Sequence, residues 1–143
     1  MATRSGSAQW RGDLQSGSGD LTVGEGVFSG PYSFASRFEE GDGTNPEELL
    51  PAAHAACYAM ALSNMLASAG HVPESVKAGA RVTLRNVDGS PTIQRIDLKV
   101  EGRVPGIDDA AFQDLATQAK AGCVVSRALA GVPEIELDAT LVA

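Results

Sequence analysis

The stretch from Thr44 to Met65, TNPEELLPAAHAACYAMALSNM, constrains this chain more than any other. It reads as a helix from its first residues. Thr44 or Asn45 can cap it, and Pro46 suits the first helical position, where an N–H would have no intrahelical partner. Glu47 and Glu48 bring negative charge to the positive end of the helix dipole. Beyond Pro51 the residues are small and apolar: Ala52, Ala53, Ala55, Ala56, Ala59 and Ala61. With so little bulk on any face, other elements can approach the backbone closely. The spacing predicts a buried central helix with Cys57 in its middle, ending near Ala69 and Gly70.

Three strands are expected before it. Ser7 to Leu14 carries Trp10; Leu21, Val23, Val27 and Phe28 form a second strand bulged at Gly24 and Gly26. The third runs from Tyr32 to Phe38, with Tyr32, Phe34, Ser36 and Phe38 on one face and Ser33, Ala35 and Arg37 on the other. After the helix, Val76 to Leu84 alternate, NVDGSP turns the chain, and Ile96, Leu98 and Val100 alternate in an antiparallel neighbour. Asp108 can cap a second helix with Phe112, Leu115, Ala116 and Ala119 as its stripe. Gly122 breaks that helix beside Cys123, Ser126 to Ala130 make a short turn, and Ile135 to Leu141 form a last strand. Three strands, helix, two strands, helix and strand make an α+β chain with an antiparallel sheet. Its 143 residues suit one domain spanning 1–143.

A net charge of −7 excludes nucleic acid and anionic membrane surfaces as partners. No run reads as long enough to span a bilayer, and MATRSGSAQWRGDL lacks the apolar block of a signal peptide, so the cytoplasm is expected. Aromatic residues make up only 5%, which leaves the core to Ala, Val, Leu and Ile and makes a lone monomer thinly packed. Two cysteines do not make a disulfide-stapled scaffold. A permanent Cys57–Cys123 bridge would contribute roughly 4 kcal/mol, a reward that a reducing compartment withholds. If the two bond at all, a transient, catalytic bond fits better. Two cysteines and two histidines without a Cys-x-x-Cys spacing do not make a metal site.

The segments YSFASRFEEGDGT, NPEELLPAAHAACYAMAL and AKAGCVVSRAL, in that order, resemble the OsmC branch of the OsmC/Ohr family of thiol peroxidases. The resemblance runs from about Gln9 to Leu141. It implies a small intertwined homodimer whose two chains wrap the central helix and which reduces organic hydroperoxides in stress defence. Cys57 would be the attacking thiol and Cys123 the resolving one, with Arg37 and Glu47 at the positions of the family's active-site arginine and glutamate. An external dithiol would reopen the disulfide, and no flavin, haem or metal is implied. The family carries proline directly after the second cysteine; here that residue is Val124, which leaves the thiol in place and alters its turn.

Peroxide chemistry gives these residues sense. The thiolate is the nucleophile, and burial in an alanine-rich helix opposes ionisation, so a cation must serve Cys57. Arg37 can stabilise both the thiolate and the departing alkoxide. Its plainer reading is a surface arginine neutralised by Glu39 and Glu40. Glu47 can hold Arg37 by a bidentate pair, against a plainer role at the helix N-terminus that Glu48 could share. A straight helix would set Glu47 about 15 Å from Cys57, so the pair must bridge that gap or the helix must break at Pro51. His54, three residues before Cys57, could form a Cys–His pair, but reads better as a hydrogen-bonded packing residue. His71 carries no signal. Two other classes remain: a ligand-binding or redox-sensing module without turnover, and a Cys–His hydrolase using Cys57 and His54.

Overall fold

The computed structural model describes all 143 residues, which divide into two compact units, Met1–Leu49 and Leu50–Ala143. In the first, β1 (Gly6–Arg11), β2 (Ser18–Val23) and β3 (Phe28–Ser33) form an antiparallel meander in the order β1-β2-β3. The expected bulge at Gly24 and Gly26 is instead the turn between β2 and β3, so Phe28 opens the third strand. That strand also stops at Ser33, and Phe34–Phe38 is a short helix, α1. Arg37 therefore stands on a helix and not on a strand. The cause is a reciprocal cap: Ser33 Oγ accepts from the Ser36 N–H at 3.1 Å while Ser36 Oγ accepts from the Ser33 N–H at 2.8 Å. Phe34 and Phe38 share a face in either conformation, since a spacing of four satisfies both periods, and their rings meet at 5.1 Å.

Helix α2 (Pro46–Ser68) begins in the first unit and continues in the second without a break at Pro51. The second unit adds β4 (Ser75–Val87), β5 (Ser90–Arg103), α3 (Asp109–Gly122), α4 (Val124–Ala128) and β6 (Glu134–Val142). The β4–β5 hairpin turns at Asp88 and Gly89, both left-handed (φ 51° and 84°), the geometry that matches strand twist. β6 pairs with β5 in parallel, which corrects the expectation of antiparallel pairing throughout. The reason is connectivity: α3 and α4 carry the chain back across the sheet, and a strand reached by such a crossover runs parallel. The fold is α+β with two separate three-stranded sheets, ordered β1-β2-β3 and β4-β5-β6.

The core lies in the second unit. His54, Tyr58, Leu62 and Leu66 form the buried stripe of α2, spaced by four. Tyr58, Leu62 and Leu66 cluster with Leu98 and Val100 of β5, with Phe112, Ala116 and Ala119 of α3, and with Cys123. Gly102 on β5 lets Phe112 in, since a Cβ there would lie 2.5 Å from the ring. The rest of α2 is more open than a surrounded helix: Ala52, Ala53 and Ala56 are exposed, and Met60 is 76% exposed. Within one chain, α2 is buried along one stripe only. Its length and composition also reach those of a bilayer-crossing helix, contrary to the expectation that no run does. Its inward stripe nevertheless carries two polar groups with specific partners, His54 and Tyr58.

Candidate active site

Arg37 and Glu47 meet within the first unit. Arg37 Nε lies 3.1 Å from both carboxylate oxygens of Glu47, and Nη2 donates to Oε1 at 2.8 Å. This is the planar fork that only arginine offers a carboxylate. Glu48 does not compete, because its carboxylate accepts from the Thr44 hydroxyl at 3.3 Å. The arrangement is built from the backbone beneath it. Buried Asn45 donates from Nδ2 to the Ser36 carbonyl at 2.8 Å and accepts the Glu48 N–H on Oδ1 at 2.9 Å. One amide thus ties together the neighbours of Arg37 and Glu47. Sequence reading offered Asn45 only as a cap; its second bond depends on α1, which alternation had disguised as a strand.

The Arg37 side chain is 39% exposed and its guanidinium lies 5.1 Å from the Phe38 ring centroid. It borders a pocket of about 440 Å³ whose other walls include Trp10, Leu14, Tyr32, Phe34 and Phe38. The Trp10 and Tyr32 rings meet at 5.3 Å. A fixed cation in an apolar, aromatic hollow suits a small molecule with an apolar body and a developing negative charge.

The thiols belong to the second unit. Both are free; Cys57 is half-buried on α2 and Cys123 is buried at the junction of α3 and α4. Cys123 ends α3 through its own N–H to the Ala119 carbonyl and caps α4 by accepting the Ser126 N–H on its sulfur at 3.5 Å. Its thiol is held below its ordinary value: burial pushes it up, but the Ser126 N–H, the Cys57 thiol, the Ser126 hydroxyl and the Val125 N–H together outweigh that. Cys57 packs against the buried cluster that includes Cys123. Val124 is the exposed first residue of α4, where proline would also fit, and Cys123 keeps the extended backbone (ψ 125°) that a following proline favours.

His54 is fully buried, and its Nε2 lies 2.6 Å from Ser126 Oγ. It is a hydrogen-bonded interior residue, and that bond turns Nε2 toward Ser126. Burial lowers its pKa, so the ring is neutral at pH 7. The sequence marks Ser126 only as the start of a short turn, whereas the turn is the helix α4, Val124–Ala128, and the spacing of three from Cys123 is that of a cap and the N–H it receives. No three His, Cys, Asp or Glu side chains gather in a metal-binding group.

The family model described as OsmC-like protein matches residues 39–138, the span that holds Glu47 and both cysteines. The chain belongs to this OsmC-like family. Peroxiredoxin OsmC of Escherichia coli (strain K12) is 48% identical over 136 residues, covering 94% of each chain. The organic hydroperoxide resistance protein of Xanthomonas axonopodis pv. citri is 34% identical, covering 71% of this chain and 67% of its own. A solved OsmC like protein from Mycoplasma pneumoniae shares the fold, with a TM-score of 0.77 over 99% of both chains at 18% identity. Arg37 lies two residues before the matched span of this OsmC-like chain, on the helix that Asn45 ties to the start of α2.

Proposed function

We propose that this OsmC-like chain, acting as one domain over residues 1–143 in a cytoplasmic homodimer, reduces organic hydroperoxides to alcohols through paired thiols. Its likeness to a peroxiredoxin over nearly its whole length makes it a cysteine-based peroxidase. The observation that carries the finer reading is that Cys57 on α2 packs against the buried cluster that contains Cys123, at the α3–α4 junction. Cys57 attacks the peroxide: a sulfur–oxygen bond forms as the O–O bond breaks, the alkoxide takes a proton and leaves as alcohol, and Cys57 becomes a sulfenic acid. Cys123 then displaces hydroxide from that sulfur, giving the disulfide. An external dithiol reopens it by exchange and is itself oxidised. Arg37, aimed by Glu47, supplies the positive charge for the thiolate and alkoxide, from the same chain or its dimer partner. The aromatic hollow beside Arg37 supports a peroxide with an apolar tail.

The division of labour between the thiols tests this. Cys57→Ser should abolish reaction with hydroperoxide. Cys123→Ser should react once at near-normal speed and then stall as a sulfenic acid or over-oxidise. One equivalent of organic hydroperoxide should convert the unmutated protein to a Cys57–Cys123 disulfide, seen by mass spectrometry as a loss of two hydrogens and a linked peptide pair. Peroxide consumption by Cys57→Ser but not by Cys123→Ser would exchange the roles.

A further inference from the structure

The second unit holds a polar chain that peroxide reduction by Cys57 does not use. Behind Cys123 stands Ser126, and behind Ser126 stands His54, all three buried. The His54–Ser126 contact is short, 2.6 Å, and Ser126 in turn directs its N–H at the Cys123 sulfur. His54 Nδ1 is buried without any partner. That orphan assigns the tautomer. A proton on Nδ1 would bury an unmatched donor, the costlier and rarer fault, so the proton sits on Nε2 and is donated to Ser126 Oγ.

We propose that His54 and Ser126 are positioning residues for the resolving thiol: the imidazole anchors Ser126 through its hydroxyl, and Ser126 thereby holds its N–H on the Cys123 sulfur as an acceptor. This rests on the reading of Cys123 as the resolving cysteine. The hydroxyl is among the groups that pull the Cys123 thiol below its ordinary value. The titratable neighbours are Cys57 and Tyr58 on α2, the phenol being raised chiefly by burial and also by Cys123. In the second step the Cys123 thiolate forms the S–S bond to the Cys57 sulfenic acid as the S–O bond breaks, and hydroxide departs and is protonated to water. A sulfur already held by donors needs no separate base at that moment.

The test begins without turnover. In a Cys57→Ser background, the thiolate absorbance of Cys123 is titrated with Ser126 intact, with Ser126→Ala and with Ser126→Thr. Losing the hydroxyl frees Ser126 from His54, loosens its N–H on the sulfur and should raise the Cys123 pKa, while Ser126→Thr, which keeps the anchor, should restore most of the original value. With both cysteines present, single-turnover quenching should show disulfide formation in Ser126→Ala slowed about three- to tenfold relative to sulfenic acid formation. His54→Gln should fall between, since an amide can replace part of the anchor. An unchanged Cys123 titration in Ser126→Ala overturns the proposal, and so does an equal slowing of both steps. Because the titration needs no peroxide, a failure of the peroxidase reading would leave this result standing, and the two can fail separately.

Discussion

The fork between Arg37 and Glu47 lets charge and geometry be tested separately at one residue. Arg37→Met should slow peroxide reduction about a hundredfold, the scale of losing one donor to a developing oxyanion, with the far-ultraviolet circular dichroism unchanged. Arg37→Lys should also be impaired, because a point charge cannot reproduce the planar pair with Glu47. An unaltered rate in both would remove Arg37 from the site. His54 offers a second test, of stability. Burial holds its pKa below the ordinary value of 6.5, so the unfolded chain takes up a proton before the folded one does. Its contribution is complete above the ordinary imidazole range and is lost as pH falls through that range toward the folded value. The melting temperature should therefore drop between about pH 7.5 and about pH 5.5 by more than it does in His54→Gln; equal slopes would assign the loss elsewhere. At this scale the pairing of Arg37 with Glu47 was legible, since a guanidinium and a carboxylate have few better partners. Ser126 and Asn45 were not, because hydroxyls and amides abound in caps and their second partners depend on the tertiary fold.

Elements owe their packing to absences as much as to side chains. Gly102 leaves room on β5 for the ring of Phe112, which is fully buried on α3. Gly102→Ala should cost about 1–3 kcal/mol, as overpacking does, and lower the urea midpoint without changing the slope of the transition. A midpoint equal to that of the parent would show that the ring shifts freely. Most elements could be placed from the sequence: the capped start of α2, Asp108 before α3, and the Asp88–Gly89 turn each carry their own local signal. Two could not. Residues 34–38 alternate like a strand, and only the Ser33–Ser36 cap makes them helical. The direction of β6 lay in the strand–helix–strand order of β5, α3 and β6, a signal of connectivity that local alternation does not contain.

At the scale of the whole molecule, apolar surface is left exposed. α2 buries one stripe and leaves Met60 and several alanines open, and Leu21 is the one buried hydrophobic residue in the first unit while Leu14, Val27 and Phe28 stay exposed. A dimer that covers such surface should be seen by sedimentation at low micromolar concentration, with activity lost on dilution to monomer. A folded, active monomer under those conditions would refute it. Composition suggested only a thinly packed monomer, since a chain with 5% aromatic residues has little bulk with which to close a core; the dimer was what the family resemblance implied.

The parallel pairing of β5 and β6 also sets a schedule. The β4–β5 hairpin can zip from its two-residue turn, but β6 must find β5 across some forty residues, as from Ile96 to Ile135, and such non-local pairing forms late. Cys123 lies inside that crossover and reaches its place only when the crossover docks. On the ribosome Cys57 is made first, ahead of Cys123 by roughly 3–13 seconds of synthesis. Throughout that interval a nascent chain carries one of its two thiols without the other.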